Sequence, residues 1–507
     1  MKAILAGISL AALLAAPALA QKAKDTLRYP MSEAQSTLDQ YVSPGSFHYS
    51  WAPSVYDNLL GFDPRKGEFL PLLAKSWSQP TPATYEFELK DGVKWHDGET
   101  VDADDVVYTL TYLIDPKVNL RFKANWTWIE SVEKLGPHKV RVTAKRPVPD
   151  GLMWMVGSTP IYPEHVHAPL ANKIEFGARP VGTGPYKVLK LDKNTGILAE
   201  KSPGFVDSPA KRAGTIGRIV SEPIPDAGTT VAALMTGAID LADEIPPDQS
   251  LALRDSGRFE ITLAPPSLSY TFMGFPSLGW QNVKALGDVR VRTAIIKAID
   301  RTALMQTRYG ALAAGIPPAE ALCSKEQLGC GYTKTPPAYD PAGAKKLLAE
   351  AGYGDGFDVS ITCFPNDVAE ATVISGMLRQ VGIRATVRPH QVQQRVQMLS
   401  QGKVDIGFYG WSGGALFEVS SQLARHFQSK EYDDPVLTKM ATDAGALLDD
   451  AARRRAVAKV FDHATDNAYA FAMVPIRRIF VHTKEVRLTA QDEMRPSSIA
   501  AHEFAWK

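Results

Sequence analysis

Four small groups of residues carry types and spacings that could do chemistry. Gly410-Trp411-Ser412-Gly413-Gly414 has the G-x-S-x-G form of a nucleophile elbow and follows a strand-like run. Asp449 or Asp462, then His482 or His502, would complete a Ser-acid-His order for a secreted serine hydrolase. His96, Asp97 and Asp104 bring an imidazole and two carboxylates into one short stretch, and His165 and His167 form an H-x-H pair of metal-ligand type. Pro180-Val181-Gly182-Thr183-Gly184-Pro185-Tyr186 has two closely spaced glycines, as phosphate-binding loops do.

Each group has a plainer explanation. The elbow has no HGGG-type oxyanion segment, and the residues after Gly414 carry little helical pattern. Asp97-Gly98 is a turn pair, and Asp104 stands at a helix start, where carboxylates are favourable. The H-x-H pair has no third ligand placed by the sequence. The glycine run lacks the Lys-Ser/Thr ending of a phosphate loop. No catalytic residue and no metal ligand is therefore assigned.

The elements that must position these residues are more legible. Tyr85, Phe87 and Leu89 alternate with Glu86 and Glu88, the period of a half-buried strand. Asp91-Gly92 turns the chain, and Asp102 with Asp105 has the spacing of a capping box before the apolar face Val106, Val107, Leu110. A helix is expected from about Pro53 to Leu60, strands over 139–144, 259–263 and 270–275, and one helix over Val289–Leu304 behind Asp288. Further on, helices starting at Pro341, Val368 and Val392 alternate with strands over 358–363, 383–388 and 404–409. That alternation is the pattern of a parallel α/β sheet.

With 507 residues the chain exceeds one core, so two or more lobes are expected. Hydrophobic residues at 45% and charged residues at 22% are ordinary globular values, and a net charge of +1 argues against a nucleic-acid partner. Lys2, the apolar run Ala3–Leu14 and the small-x-small Ala18-Leu19-Ala20 read as a secretory signal cleaved near Ala20. No cysteine follows for a lipid anchor, and the expected location is a Gram-negative periplasm. In that oxidising compartment Cys323 and Cys330 could close a short loop, with Cys363 left over.

Several runs together resemble a known family. They are Trp77, the Y-x-F-x-L strand at 85–89, DGVKWHDG at 91–98, ADDVVYTL at 103–110, the Leu38-Asp39 pair and the Ile161–His165 segment. Gly182-Thr183-Gly184-Pro185-Tyr186 and DVRVRTAIIKAIDRTAL at 288–304 extend the match. This order resembles the family 5 extracellular solute-binding proteins, the peptide, nickel and oligopeptide receptors of ATP-driven importers. The likeness covers most of residues 26–480.

The resemblance implies a fold and a function. The fold is a periplasmic-binding-protein-like α/β clamshell of type II with an extra subdomain. Lobe I would hold 21–52, 180–275 and 476–507, with 53–179 inserted; lobe II would hold 276–475; the signal is 1–20. The chain would cross between lobes near Phe272–Gly279 and Ala472–Arg477. The function is capture of a peptide or related small polar solute, without a cofactor, and delivery to a membrane permease by a monomer. Ligands on open parallel sheets bind beyond the carboxyl ends of the strands. Those ends and the loop that borders the cleft in the family give Tyr41, Phe47, Tyr270, Phe364, Asn366, His390, Trp411, Ser412, Gly413 and Gly414 as ligand-binding residues. Dipeptide-type relatives carry an aspartate where Gly414 stands, and the Phe364–Asp367 loop has no arginine. Longer peptides, sugars and metal chelates all stay open as ligands.

Overall fold

The computed structural model describes residues 25–32, 34–42, 48–264, 268–278, 283–411, 418–419, 423–424, 427, 432–489 and 499–507. The signal segment, Phe47, Ser412, Gly413 and Gly414 lie outside the described residues.

Alternating sequence becomes sheet. Thr84–Leu89 buries Tyr85, Phe87 and Leu89 and pairs on one side with Ala74–Thr81 and on the other with Lys139–Ala144; Ile129–Gly136 completes a four-stranded antiparallel sheet. Ala103–Ile114 is a helix with Val106, Leu110 and Leu113 buried. Its start is a full capping box: the Asp102 carboxylate accepts from Asp104 N, and the Asp105 carboxylate accepts from Asp102 N at 3.1 Å. A second four-stranded sheet runs Thr26–Arg28, Arg218–Ser221, Gly196–Lys201, Tyr186–Asp192. One apolar core, including Leu27, Phe87, Val140, Tyr186, Ile219 and Phe504, serves both sheets.

The later part of the chain has its own core, built on Met273, Ile295, Ile361, Ile374, Phe408 and Met473. It surrounds a five-stranded sheet ordered Arg384–Pro389, Asp358–Cys363, Ile406–Trp411, Tyr270–Gly274, Ala470–Pro475. The first three strands are parallel, with helices Val368–Gln380 and Val392–Ser400 in the connections. The last two run antiparallel to their neighbours and come from positions far away in sequence.

A three-stranded sheet of Leu241–Ala242, Ile479–Thr483 and Phe259–Leu263 lies next to the two crossings. Phe259–Leu263 is paired in this three-stranded sheet, whereas Tyr270–Gly274 is paired in the five-stranded one. The chain likewise passes from the five-stranded sheet at Ala470–Pro475 to the three-stranded one at Ile479–Thr483. The two segments hold each other: Ile476 N donates to Ser269 O at 2.8 Å, Ala264 N to Arg478 O at 2.8 Å, and Arg477 Nε to Ala264 O at 2.7 Å.

Two helix expectations need correction. The helix near residue 53 spans His48–Val55, and Leu60 already opens a strand, Leu60–Asp63. The Lys211 ammonium ends it, donating to Pro53 O at 2.7 Å and Tyr56 O at 2.9 Å while pairing with Asp57. A cation on the last carbonyls of a helix terminates it favourably. The segment after Asp288 is two helices, Val289–Lys297 and Arg301–Tyr309. Asp300 breaks them apart by accepting from Thr302 N and Ala303 N as the second cap, a role an aspartate prefers to a helix interior. The third parallel strand runs to Trp411 rather than Tyr409, which sets Trp411 opposite Tyr270.

Candidate ligand-binding site

The three parallel strands end in Cys363, Pro389 and Trp411, so the residues just beyond share one edge of the sheet. His390 is tied to this edge by its backbone, which donates to Cys363 O at 2.9 Å. Its Nε2 atom is buried and makes no hydrogen bond. Phe364 is half-buried with its ring 5.2 Å from that of Tyr409. Asn366 is exposed, and Asp367 beside it is buried. The Asp367 carboxylate is already engaged by Arg308, at 3.3 Å, and Arg308 also pairs with Glu370 at 2.5 Å. Burial pushes both carboxyls above their ordinary range, and the guanidinium opposes that rise. Burial likewise lifts the Cys363 thiol to about 11, so it stays protonated and inert.

Arg395 is the residue sequence reasoning missed. It lies in the helix Val392–Ser400, in a polar run that gives no signal beyond an ordinary solvated face. Its guanidinium carbon sits 3.9 Å from the centre of the Tyr409 ring and 5.6 Å from that of Phe364. The arginine thus reaches from the connection after one strand across the ends of the other two. Its Nε is buried without an acceptor.

The other expected residues sort differently. Trp411 is 8% exposed and Tyr270 6%, and both pack in an apolar cluster with Leu322, Tyr409 and Val419. The Tyr270 hydroxyl donates to Leu322 O at 2.6 Å. Tyr41 belongs to the first core: its ring packs on Trp126 and Tyr162, and its hydroxyl donates to Pro160 O at 2.5 Å. Its ring and hydroxyl are both used internally in that core. Cys323 and Cys330 are joined, with Cα atoms 6.0 Å apart. Their loop meets the chain at 418–419: Leu328 bridges to Glu418, and Val419 N donates to Leu328 O at 3.1 Å.

The groups that resembled catalytic or metal sites are internally committed. Gly182 N donates to His96 Nδ1 at 3.3 Å, and His96 Nε2 donates to Gly184 O at 2.8 Å. The glycine run is packing: a Cβ on Gly182 would lie 1.9 Å from Val55 O. His165 bonds Asp97 at 2.8 Å, whereas His167 bonds Tyr108 at 2.5 Å, so the pair does not converge. Asp449 caps the helix Asp450–Asp466, and Asp462 accepts from Thr333 and Lys334. His482 is bonded to Thr262 and His502 to Ser54. Both candidate acids are thus used elsewhere, and the hydrolase arrangement is not supported. Among the described residues no group of three or more His, Cys, Asp or Glu could hold a metal, and no helix is long and apolar enough to cross a membrane.

The chain was compared with known proteins. The model of the bacterial extracellular solute-binding proteins, family 5, middle region, matches residues 68–434. The glutathione-binding protein GsiB of Shigella flexneri serotype 5b is 28% identical over 430 residues, covering 82% of this chain and 80% of that protein. A putative peptide-binding protein AppA from Clostridium difficile superposes with a TM-score of 0.81 at 18% identity, over 95% of this chain and all (100%) of that one. NikA from Brucella suis, in complex with Fe(III)-EDTA, gives 0.81 at 21% identity over 95% and 100%.

Proposed function

The chain belongs to the bacterial extracellular solute-binding proteins of family 5, and from that premise we propose that it captures a peptide or related small polar solute and hands it to an importer. It is the substrate-binding component of an ABC transporter, and its relatives are binding proteins rather than enzymes. Its fold is the α/β periplasmic-binding-protein type. It works in the periplasm, as a monomer, released from a signal segment near Ala20. Lobe I, with 53–179 inserted, and lobe II meet at the crossings, the first boundary being moved ahead to 264–269.

The observation that carries this reading is the pairing of two separate apolar cores with two short crossings. Bodies with their own cores, linked by a few residues, can swing as units. A solute that contacts both bodies is bound more tightly by the closed form and shifts the population towards it. The closed form is then what the permease meets. The glutathione-binding relative makes a small peptide with free carboxylates the first probe.

A thermal-shift panel of glutathione, di- and tripeptides, sugars and nickel chelates tests this. A ligand at about a thousand times its dissociation constant stabilises the folded form by about 4 kcal/mol and raises the midpoint. A peptide is expected to do so, and Trp411→Ala to weaken it. Stabilisation by a sugar or a chelate alone would replace the peptide assignment, and stabilisation by none would overturn the reading.

A further inference from the structure

We propose that Arg395 is the specificity-determining residue of this site and receives a carboxylate of the bound solute, an assignment that rests on the solute-binding reading above. The ground is a guanidinium held in place with nothing to donate to. An arginine offers five N–H donors and stays charged. The Arg395 guanidinium lies on the Tyr409 ring at 3.9 Å and near Phe364 at 5.6 Å, yet no hydrogen bond or ion pair joins it to any of the described residues.

Other arginines in this half of the molecule, buried or half-buried, have their guanidinium groups bonded or ion-paired inside the protein. Arg292 donates to Leu286 O, Gly287 O and Asn467 O. Arg308 holds Asp367 and Glu370. Arg453 holds Asp450 and Glu418, and Arg301 reaches Ala319 O. The carboxylates that follow the strand Asp358–Cys363 are already used, Asp367 and Glu370 both by Arg308. Among the described residues no carboxylate pairs with Arg395. Cation–π stacking offsets part of the cost of burying the charge and fixes the plane of the fork, but it leaves the donor edge open.

Position selects what fills that edge. Arg395 overlies the carboxyl ends of the parallel strands, where open α/β sheets bind ligands. A planar fork matches the two oxygens of a carboxylate, and the partly dry setting makes each charge-assisted bond stronger than it would be in water. His390, with its buried Nε2 uncommitted at the same edge, supplies one more polar contact for the same solute. The ligand class is therefore a peptide-like or other organic acid with a free carboxylate, held at a place other than the Phe364–Asp367 loop.

The test uses the mature full chain and paired probes. Glutathione and a set of tripeptides are titrated calorimetrically as free acids and as C-terminal amides, into the wild type, Arg395→Gln and Arg395→Lys. Malonate and citrate are run beside them as bare carboxylates in thermal shift. The wild type should prefer acid over amide by roughly ten- to hundredfold. Arg395→Gln should lose that preference, and Arg395→Lys should recover part of it. The ligand-free midpoint of Arg395→Gln should stay close to the wild type's, because only the stacking on Tyr409 is lost and no hydrogen bond or ion pair to the described residues goes with it. A variant that keeps the acid preference, or whose ligand-free midpoint drops by several degrees, overturns the assignment. Wild type that binds no peptide defeats the peptide reading alone; the carboxylate assignment then stands if malonate or citrate stabilises the wild type but not Arg395→Gln, and falls if neither does.

Discussion

The surroundings of His96 and those of Arg395 are opposites. Around His96, polar atoms find partners inside the protein. Both ring nitrogens are hydrogen-bonded to the glycine run at 182–184, Thr183 donates to Asp57 at 2.9 Å, and Asp57 pairs with Lys211 at 2.6 Å. Around Arg395, at the ends of the parallel strands, a guanidinium nitrogen and an imidazole nitrogen have no partner. The first region holds the most recognisable sequence in the chain, and it is architecture. The second has an unremarkable sequence, and there the unspent hydrogen-bonding capacity includes a charged side chain at the strand ends. Stability should concentrate in the first and affinity in the second.

Lys211→Met should break the comparison from the stability side with the largest effect. The ammonium is 9% exposed and its Asp57 partner 4%. Removing one member leaves a buried carboxylate uncompensated and frees the carbonyls of Pro53 and Tyr56. The expected loss is about 3–5 kcal/mol in denaturant unfolding. A loss below about 1 kcal/mol would mean that this cluster is not what holds the helix end to the glycine run.

His167 gives the next effect, and it depends on pH. The ring is fully buried among Tyr108, Tyr112, Tyr162 and Phe176. Burial, helped by the Lys173 charge, lowers its pKa from 6.5 to about 4. Protons therefore bind the unfolded chain first. The contribution is fully present above pH 6.5 and is lost as pH falls towards 4, by roughly 3 kcal/mol. Buried carboxyls raised by desolvation, such as Asp39 and Asp105, act in the opposite sense, so the comparison needs a variant. His167→Asn keeps an acceptor for Tyr108 and does not titrate. The stability difference between wild type and variant should shift by that amount between pH 6.5 and 4, and a flat difference would rule out a neutral buried imidazole.

Much of the fold is legible because its causes are local. The capping box at Asp102, the alternation at 84–89 and the strand–helix succession from 341 to 411 each lie within one short window of sequence. What escaped depends on distant partners. The helix end at Val55 is set by Lys211, more than 150 residues away. Tyr270–Gly274 joins the five-stranded sheet through Trp411 and Pro475, which no local period reveals. The site was legible as an edge, since strand ends can be read from pattern. Which edge residues are already occupied was not. The hydroxyls of Tyr41 and Tyr270 are bonded to Pro160 O and Leu322 O, partners that no local pattern reveals. Arg395 looks like surface until Tyr409 is seen beneath it.

The disulfide lies between the two extremes, because it serves the frame of the site rather than either pole. Cys323→Ser with Cys330→Ser opens a loop with a sequence separation of 7. The chain-entropy relation puts the loss at roughly 2.5 kcal/mol. Reduced wild type should unfold with the double variant; unfolding with the oxidised protein instead would show that the bridge adds nothing.

The smallest expected effect on stability is the most informative about affinity. Asn366 is exposed on the turn Pro365–Asp367, beyond the first parallel strand. Its neighbour Asp367 is committed to Arg308, which keeps the turn in place whatever residue 366 is. Asn366→Ala should therefore change folding stability by no more than about 0.5 kcal/mol. An amide that meets the solute by one neutral hydrogen bond accounts for about two- to tenfold in affinity. Calorimetric titration with the best-stabilising probe from the panel separates the two quantities. Weaker binding at unchanged stability places the Phe364–Asp367 turn in the contact surface, alongside Arg395. Unchanged binding removes it, and the ligand surface then narrows to the side of the sheet edge formed by His390, Arg395 and Trp411.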